Sequence, residues 1–380
     1  MTVRHQPMLI AESHQTPSED SAVDLGNKIP SIRWKQWLNP KNVSAFYVFV
    51  VLFAIFSFWI PDLFLTKTTW RTLLDNQVVT ALCAMALVIP LAAGVVNLAV
   101  GAQVGAASIL VGWLLVKQGM NPGLAVVICS VFGCAIGFMT GLLLVYARID
   151  SFIGTLGVSS LLAAFITAIS GGHQILGMPT GFADLGTNQL FGVTYPVYFV
   201  LIVAVALWYL LERTPAGRRI YATGGNIEAA RLSGVSTAKV IIGSLVLCGL
   251  ITSFAGMLVT ARLANADPTI GPGYLLPSFT GAFLGSTQLK EGRFNIFGTL
   301  LAVYVLATGV KGLQLAGAPV WFPDAFNGAA LLIAVALAKL QNGQGRTMAI
   351  ARAIPGFLLR RKGVASTAVL AGRQADGQEP

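Results

Sequence analysis

The chain has 380 residues, of which 55% are hydrophobic and 11% charged, and its formal net charge is +10. Soluble domains carry about a quarter charged residues, so this composition excludes an ordinary soluble protein. Several apolar runs are long enough to cross a ~30 Å hydrocarbon layer, and none shows β-strand alternation. Because backbone groups in lipid must be paired within their own segment, the sequence predicts an all-α polytopic membrane protein.

Ten apolar segments follow one another along the chain and predict ten transmembrane helices. The eighth is short and opened by Pro277, so we expect it to be re-entrant or broken. The predicted segments are 44–60, 76–96, 102–117, 122–147, 152–170, 194–211, 240–261, 275–289, 294–313 and 320–338. They define a transmembrane domain over 44–340, between a cytosolic N-terminal tail at 1–43 and a basic cytosolic tail at 341–380.

The distribution of basic residues predicts how these segments are oriented. With both termini in the cytosol, 20 of the 25 Lys and Arg residues fall on the cytosolic side. Cytosolic loops of membrane proteins carry such an excess, so the sequence predicts an N-in, C-in topology. The positive charge is then an anchoring signal at the bilayer and does not indicate nucleic-acid binding.

The predicted spans lack the groups that ion-coupled transport and catalysis need. Carriers driven by protons or sodium usually keep ionisable residues at membrane depth. No P-loop, catalytic grouping or metal-ligand spacing occurs, and all four cysteines lie in apolar segments. We therefore expect no enzyme activity, metal or cofactor in this chain. Asp, Glu, Lys and Arg are absent from 76–116, 118–147, 151–183, 185–211, 240–261 and 268–289.

Neutral hydrogen-bonding and aromatic side chains within the spans suit the passage of an uncharged sugar or polyol. The alternative for each of them is that it joins helices or faces lipid. The candidates for a translocation path are Gln77, Asn97, Gln103, Phe279 and Phe283.

Glycines mark one helix face for close packing. Gly133, Gly137 and Gly141 repeat at a small-xxx-small spacing. Such a stripe lets a neighbouring helix approach to backbone contact, so we expect these residues to form a helix-packing face.

The stretch YATGGNIEAARLSGV at 221–235 is polar, lies between two apolar segments, and is cytosolic by the charge count. Asn226 is a candidate N-cap for a short helix that begins near Ile227, and Glu228 suits the positive end of its dipole. Gly234 is a residue that can end it. The sequence thus predicts a helix of about two turns outside the membrane.

Thr223-Gly224-Gly225 precedes this short helix and is expected to break the chain, so that the helix sits on flexible joints. A short helix of this kind is suited to docking into a groove on another protein. An ordinary capped interfacial loop fits the local chemistry as well.

The stretch RRIYATGGNIEAARLSGVS at 218–236 resembles the cytosolic loop of ABC-type sugar importer permeases of the ribose/xylose class, in the branched-chain amino acid/sugar permease superfamily. The similarity continues through GVVNLAVGA, RIDSFIGTLG, ARLANADPTIGPGY and LGSTQLKEGRFNIFGTLLA, and covers 70–340. In that family this loop, here within 212–239, is the coupling helix that contacts a separate ATPase. The resemblance assigns the coupling role to Gly224, Gly225, Asn226, Glu228, Ala229, Ala230, Arg231 and Gly234.

The resemblance implies the permease subunit of a bacterial ABC importer that carries a monosaccharide or related polyol across the inner membrane. The implied partners are an ABC ATPase that binds the ATP, a periplasmic or lipid-anchored substrate-binding protein at outer loops including 171–193, and a second permease subunit, identical or paralogous. An ATPase-independent secondary carrier or facilitator, or a passive channel, is the alternative.

Several positions depart from the family pattern. Asn97 stands where the family usually has Asp, and Ala99 stands where it has Ser. Leu275-Leu276-Pro277 replaces the Glu-Leu-Asp that usually follows Tyr274. Three family carboxylates are thus neutral or apolar here, so we expect the architecture to persist, but the resemblance does not identify the sugar.

Overall fold

The computed structural model describes residues 44–287 and 292–336, with side chains from residue 49 onward. All of them belong to one unit of the chain, 40–380. The predicted tails at 1–43 and 341–380 lie outside the described residues.

Helices occupy most of the described residues, which confirms the all-α polytopic fold class. A π-helical turn, Trp113–Lys117, extends α5, and a 3-10 turn, Pro272–Tyr274, precedes α13. In the first half the helices are α1 Ser44–Trp59, α2 Pro61–Phe64, α3 Lys67–Asn76, α4 Val78–Ala92, α5 Val100–Gly112, α6 Pro122–Val145 and α7 Ser151–Ser170. In the second half they are α8 Thr180–Thr187, α9 Tyr195–Arg213, α10 Pro215–Gly225, α11 Ile227–Leu232, α12 Thr237–Leu263, α13 Leu275–Ser286, α14 Ile296–Leu315 and α15 Phe322–Ala336.

Each of the ten predicted segments contains a helix, but the helices differ in length. Within the described residues, six helices are long and apolar enough to cross a membrane, and the pair α3 and α4, bent by 41°, adds a seventh if it is one span. At the predicted eighth segment, α13 has only 12 residues. The described parts of α1 and α15 are apolar and shorter than a full span, and each borders residues outside the described range.

Helix α4 is the centre of the described bundle. Every one of its 15 residues is buried, and α9, α12, α13 and α14 pack around it. A helix that is apolar all round belongs inside a protein, which explains why its sequence has no polar face.

The glycine stripe of α6 lies against α12 at backbone distance. A Cβ added to Gly133 would stand 2.5 Å from the Gly249 carbonyl oxygen, and one on Gly137 would stand 2.7 Å from the Cα of Val246. One on Gly141 would stand 2.9 Å from the Cα of Ile242. Only hydrogen fits at these three positions without movement of α12.

Two short antiparallel strand pairs close the loops that the sequence predicts to lie on the outer side. β1 Ile175–Leu176 pairs with β4 Asn265–Ala266, and β2 Gln189–Leu190 pairs with β3 Val193–Thr194. Sequence reasoning treated 171–193 only as a loop, because two-residue strands are too short to show a period.

Candidate functional site

The loop between α9 and α12 folds into two consecutive helices, α10 and α11. Asn226 lies between them with φ −158° and ψ 110°, in extended backbone. Its Oδ1 accepts hydrogen bonds from the backbone N–H groups of Glu228 at 3.1 Å and Ala229 at 3.0 Å. Asn226 thus caps α11 by satisfying two of its free N–H groups.

The far end of α11 has two hydrogen bonds typical of a Schellman motif. The Gly234 N–H donates to the Arg231 carbonyl at 3.0 Å, and the Val235 N–H donates to the Ala230 carbonyl at 3.0 Å. Gly234 has φ 82°, in the left-handed region. Helix α11 is therefore defined at both ends.

Exposed apolar side chains on α11 leave it a surface for a partner. Leu232 is 88% exposed and Ile227 is 45% exposed. Glu228 in the first turn and Arg231 in the last turn both suit the helix dipole. A short, capped helix with exposed leucine and isoleucine is a candidate docking element.

The expected chain break at Thr223-Gly224-Gly225 is wrong, because these residues form the last turn of α10. Thr223 is buried, and its hydroxyl donates to the Arg219 carbonyl at 2.8 Å. Gly224 lies on the end of α4, where an added Cβ would stand 2.9 Å from the carbonyl carbon of Ala92. Glycine at 224 serves for close approach rather than for flexibility. Helix α10 continues through Gly225, and Asn226 is its C-cap.

A second contact fastens α10 to the start of α14. The Tyr221 hydroxyl donates to the Phe294 carbonyl at 2.7 Å, and the Arg293 guanidinium lies 3.6 Å from the centre of the Tyr221 ring. Burial raises the pKa of Tyr221. Sequence reasoning missed this contact, since residues 73 positions apart give no local signal. Helix α10 thus contacts both the end of α4 and the start of α14.

Asn97 lies against α12 in a non-helical stretch between α4 and α5. The Asn97 side chain is fully buried, and its Nδ2 lies 3.5 Å from the Cys248 sulfur. Its Oδ1 accepts from the Ala99 N–H at 3.1 Å. Asn97 is therefore enclosed between the chain before α5 and α12, and it does not face an open passage.

Gln103 contacts the same face of α12 one turn further along. Its Oε1 accepts from the Thr252 hydroxyl at 3.1 Å, whereas its buried Nε2 has no hydrogen-bond partner among the described residues. Buried amide donors without a partner are costly. Gln103 therefore keeps both N–H donors of its Nε2 without a partner among the described residues.

The remaining predicted path residues lie elsewhere. Gln77, at the bend between α3 and α4, lines a cavity of about 240 Å³ together with Asp324 and Asn327. Phe279 and Phe283 stack at a ring-centre distance of 6.2 Å on α13. Asn97 and Gln103 thus lie along one face of α12, whereas Gln77, Phe279 and Phe283 lie on other helices, and a shared role in a translocation path stays a prediction.

Two interrupted segments meet where α5 and α13 begin. A Cβ added to Gly271 would stand 2.5 Å from the Gly101 carbonyl oxygen, and one on Gly105 would stand 3.5 Å from the Gly271 Cα. Residues 95–97 before α5 are not helical, and a 3-10 turn precedes α13. The Gly-Pro-Gly at 271–273 is a helix-breaking signal.

A hydrogen bond joins the two loops that carry β1 and β4. Asp267, after β4, accepts from the Thr269 N–H at 2.8 Å, from the Thr269 hydroxyl at 2.7 Å and from Gln174 Nε2 at 2.8 Å. These bonds, the backbone one most, lower the pKa of Asp267. Between β2 and β3, Phe191 is 93% exposed at a hairpin tip.

Comparison with known proteins shows what this chain resembles. It matches the family described as branched-chain amino acid transport system / permease component over residues 72–335. It is 33% identical to the ribose import permease protein RbsC of Bacillus subtilis over 299 residues, which cover 78% of this chain and 92% of that protein. No match to a solved structure reaches significance.

Two further relatives have names that refer to other sugars. The L-arabinose ABC transporter permease protein AraH of Azospirillum brasilense is 30% identical over 335 residues, 88% of this chain and 97% of that protein. The D-allose transport system permease protein AlsC of Escherichia coli is 29% identical over 298 residues, 78% of this chain and 91% of that protein.

Proposed function

The chain belongs to the branched-chain amino acid transport system / permease component family, and on that premise we propose that it carries a monosaccharide or related polyol as the membrane subunit of an ABC importer. The names of its relatives refer to ribose, arabinose and allose, all neutral sugars. A chain without Asp, Glu, Lys or Arg across most of its spans suits a neutral substrate. It is a transport component of the bacterial inner membrane and not an enzyme.

The observation that carries the proposed mechanism is the fastening of α10 to the spans. A separate ATPase binds and hydrolyses ATP and engages α11, whose ends are capped and whose apolar side chains are exposed. Gly224 contacts the end of α4, and the Tyr221 hydroxyl donates to the Phe294 carbonyl just before α14. A displacement of α11 is therefore transmitted through α10 to α4 and α14. We propose this as the coupling route.

The proposed path for the sugar involves the meeting point of the two interrupted segments. In transporters, discontinuous helices whose starts meet within the membrane often form the substrate site. Gln103 lies in the first turn of α5 with a buried donor that lacks a partner. Opening of the contact between α5 and α12 would let this donor bind a sugar hydroxyl, with Asn97 beside it. Gln77, Phe279 and Phe283 are the further proposed contacts.

Two further partners are proposed, a substrate-binding protein on the periplasmic side and a second permease subunit in the membrane. A periplasmic or lipid-anchored substrate-binding protein would contact the outer loop 171–193, where Phe191 projects at the hairpin tip. A second permease subunit, identical or paralogous, would complete the path. Ten crossings with both termini in the cytosol is the topology that the basic residues support.

ATP-dependent uptake into vesicles tests the proposal. The chain is co-expressed with candidate ATPase and binding-protein subunits, and uptake of labelled ribose, arabinose and allose is measured. We expect uptake of at least one of these sugars only when the ATPase, internal ATP and the binding protein are all present. Uptake by vesicles that contain this chain alone would contradict the proposal. Saturable uptake would then indicate a carrier, and flux without saturation would indicate a channel.

A further inference from the structure

A cavity of about 640 Å³ opens beside the coupling helix, between the inner ends of α9, α10 and α12. Two cations, Arg219 on α10 and Lys239 in the first turn of α12, line it together with the serines Ser233 and Ser236. No acidic side chain is among the described residues that line it. The rim of this cavity is therefore positively charged.

The two cations lack a counter-charge in the described part of the chain, where neither forms an ion pair. Lys239 lies near the positive end of the α12 dipole, which is an unfavourable place for a cation. Ser236, the N-cap of α12, makes no side-chain cap hydrogen bond. An anionic group at this rim would be attracted by both cations and by the free N–H groups that begin α12.

The cavity becomes apolar away from this rim. Lys239, Gly243 and Leu247 follow at four-residue intervals on one face of α12, so Leu247 lies about 12 Å along the helix from Lys239. Leu210 of α9 and the fully buried Ile89 of α4 also line the cavity. A cavity with a charged rim and an aliphatic interior fits an amphiphile better than a soluble anion.

A second cavity shows that α9 and α12 also separate on the outer side. It measures about 410 Å³, and Ile202, Phe254 and Leu258 are among its apolar lining residues. The rings of Phe199 and Phe254 approach to 5.5 Å beside this second cavity. The apolar lining of this cleft suits acyl chains and offers few groups to a sugar.

We propose that the inner cavity binds an anionic phospholipid of the cytoplasmic leaflet. The phosphate lies between Arg219 and Lys239, and an acyl chain follows Leu210 and Leu247. Basic pockets between helices on the cytoplasmic side are known to bind such headgroups. Because Gly234 also lines the cavity, the lipid contacts the end of α11 and stabilises the C-cap of the coupling helix.

Lipid binding to charge variants tests the headgroup contact. The purified chain is exchanged into phosphatidylglycerol or phosphatidylcholine, and retained lipid is counted by native mass spectrometry. Each basic residue contributes roughly fivefold to binding an anionic surface, so Arg219→Gln with Lys239→Gln should weaken phosphatidylglycerol binding about twenty-fivefold. Arg218→Gln is the matched control, because it removes the same charge from the next, exposed residue outside the lining, and it should bind as wild type does.

A cavity-filling variant tests the acyl-chain contact without changing any charge. A Cβ added to Gly243 meets no atom within 4 Å, so Gly243→Leu should extend into the cavity without disturbing the fold. It should lose phosphatidylglycerol. Gly328→Leu on α15, also at a position with open space, is the matched control and should retain the lipid.

Three results would overturn the proposal. The first is equal retention of phosphatidylcholine and phosphatidylglycerol by the wild-type chain. The second is unchanged phosphatidylglycerol binding in the double charge variant or in Gly243→Leu. The third is competition by inorganic phosphate that displaces the lipid whatever its chain length, because a soluble phosphate compound would then be the occupant.

Discussion

Gly224 lies directly against Gly94, with its Cα 3.3 Å from the place that a Cβ on Gly94 would take. Gly94 follows the end of α4 with φ 83°, and Gly224 is in the last turn of α10. The chain just after the most buried helix of the described bundle thus touches α10 through backbone atoms at this point. A backbone contact has no rotamers to absorb a displacement, so α10 and α4 should move together.

The first prediction compares two neighbouring glycines of α10. Gly224→Ala should impair transport and weaken the stimulation of ATP hydrolysis by substrate, because its Cβ would overlap the backbone of Ala92. Gly225→Ala is the matched control, since a Cβ there meets no atom within 4 Å. Alanine in a helix is favoured over glycine by about 0.5–1 kcal/mol, so the control should be neutral or slightly more stable. Identical transport by the two variants would show that the contact with α4 is not used.

The second prediction concerns the ends of α11. Glu228→Arg places a cation in the first turn, where the dipole effect is worth about 0.3–1 kcal/mol, and at the proposed ATPase interface. It should reduce co-purification of the ATPase while the chain still inserts at normal levels. Retention of the ATPase with normal stimulation by substrate would leave the loop as a simple connector.

The third prediction concerns the C-cap of the same helix. Gly234→Val forces a β-branched residue into the left-handed conformation, which costs roughly 1–2 kcal/mol for a non-glycine residue. Open space surrounds the added Cβ, so the strain lies in the backbone alone. Gly234→Asn should be much milder, because asparagine tolerates this conformation. Equal hydrolysis and transport in both variants would show that the cap does not matter for coupling.

Much of the fold was accessible from the sequence because burial in lipid leaves long apolar runs. The close-packing face formed by Gly133, Gly137 and Gly141 could likewise be predicted, because their four-residue spacing places them on one side of a helix. The role of Gly224 was misread, since local propensity cannot distinguish a glycine needed for flexibility from one needed for close approach. Its partner, Gly94, lies 130 positions earlier in the chain. Hydrophobic periodicity does not predict a contact between residues so far apart.

The candidate path was less predictable than the loop. Asn97 and Gln103 were chosen because they are polar within apolar segments, a property shared by residues that join helices and residues that meet substrate. The structure places both against α12. Only the contacts distinguish them, because Gln103 retains an unpaired donor whereas Asn97 uses both ends of its amide.

The fourth prediction follows from the burial of Asn97. Asn97→Asp introduces a carboxylate at a fully buried position and removes the N–H that faces Cys248. Burying an ion without a partner is expensive, so we expect lost transport and a reduced yield of folded protein. Asn76→Asp is the control, because that exposed side chain already accepts from Arg262 Nη2 at 2.9 Å. Full activity of Asn97→Asp would mean that water reaches this position.

The last prediction concerns pH and the outer loops. Three hydrogen bonds to the carboxylate hold the pKa of Asp267 below its ordinary value. A carboxyl whose pKa is lower in the folded state stabilises that state above its unfolded pKa of about 3.9, and this contribution is lost as pH falls through the lower folded pKa. Asp267→Ala should therefore unfold at a lower temperature than wild type at pH 7. The difference should shrink as the pH falls below about 4.

Asp184→Ala is the control, since its exposed carboxylate makes no side-chain hydrogen bond within 44–287 and 292–336. The melting temperature of this control variant should follow that of the wild type. A melting difference for Asp267→Ala that stays constant from pH 7 to pH 3 would contradict the assignment, because the ionised carboxylate would then contribute nothing.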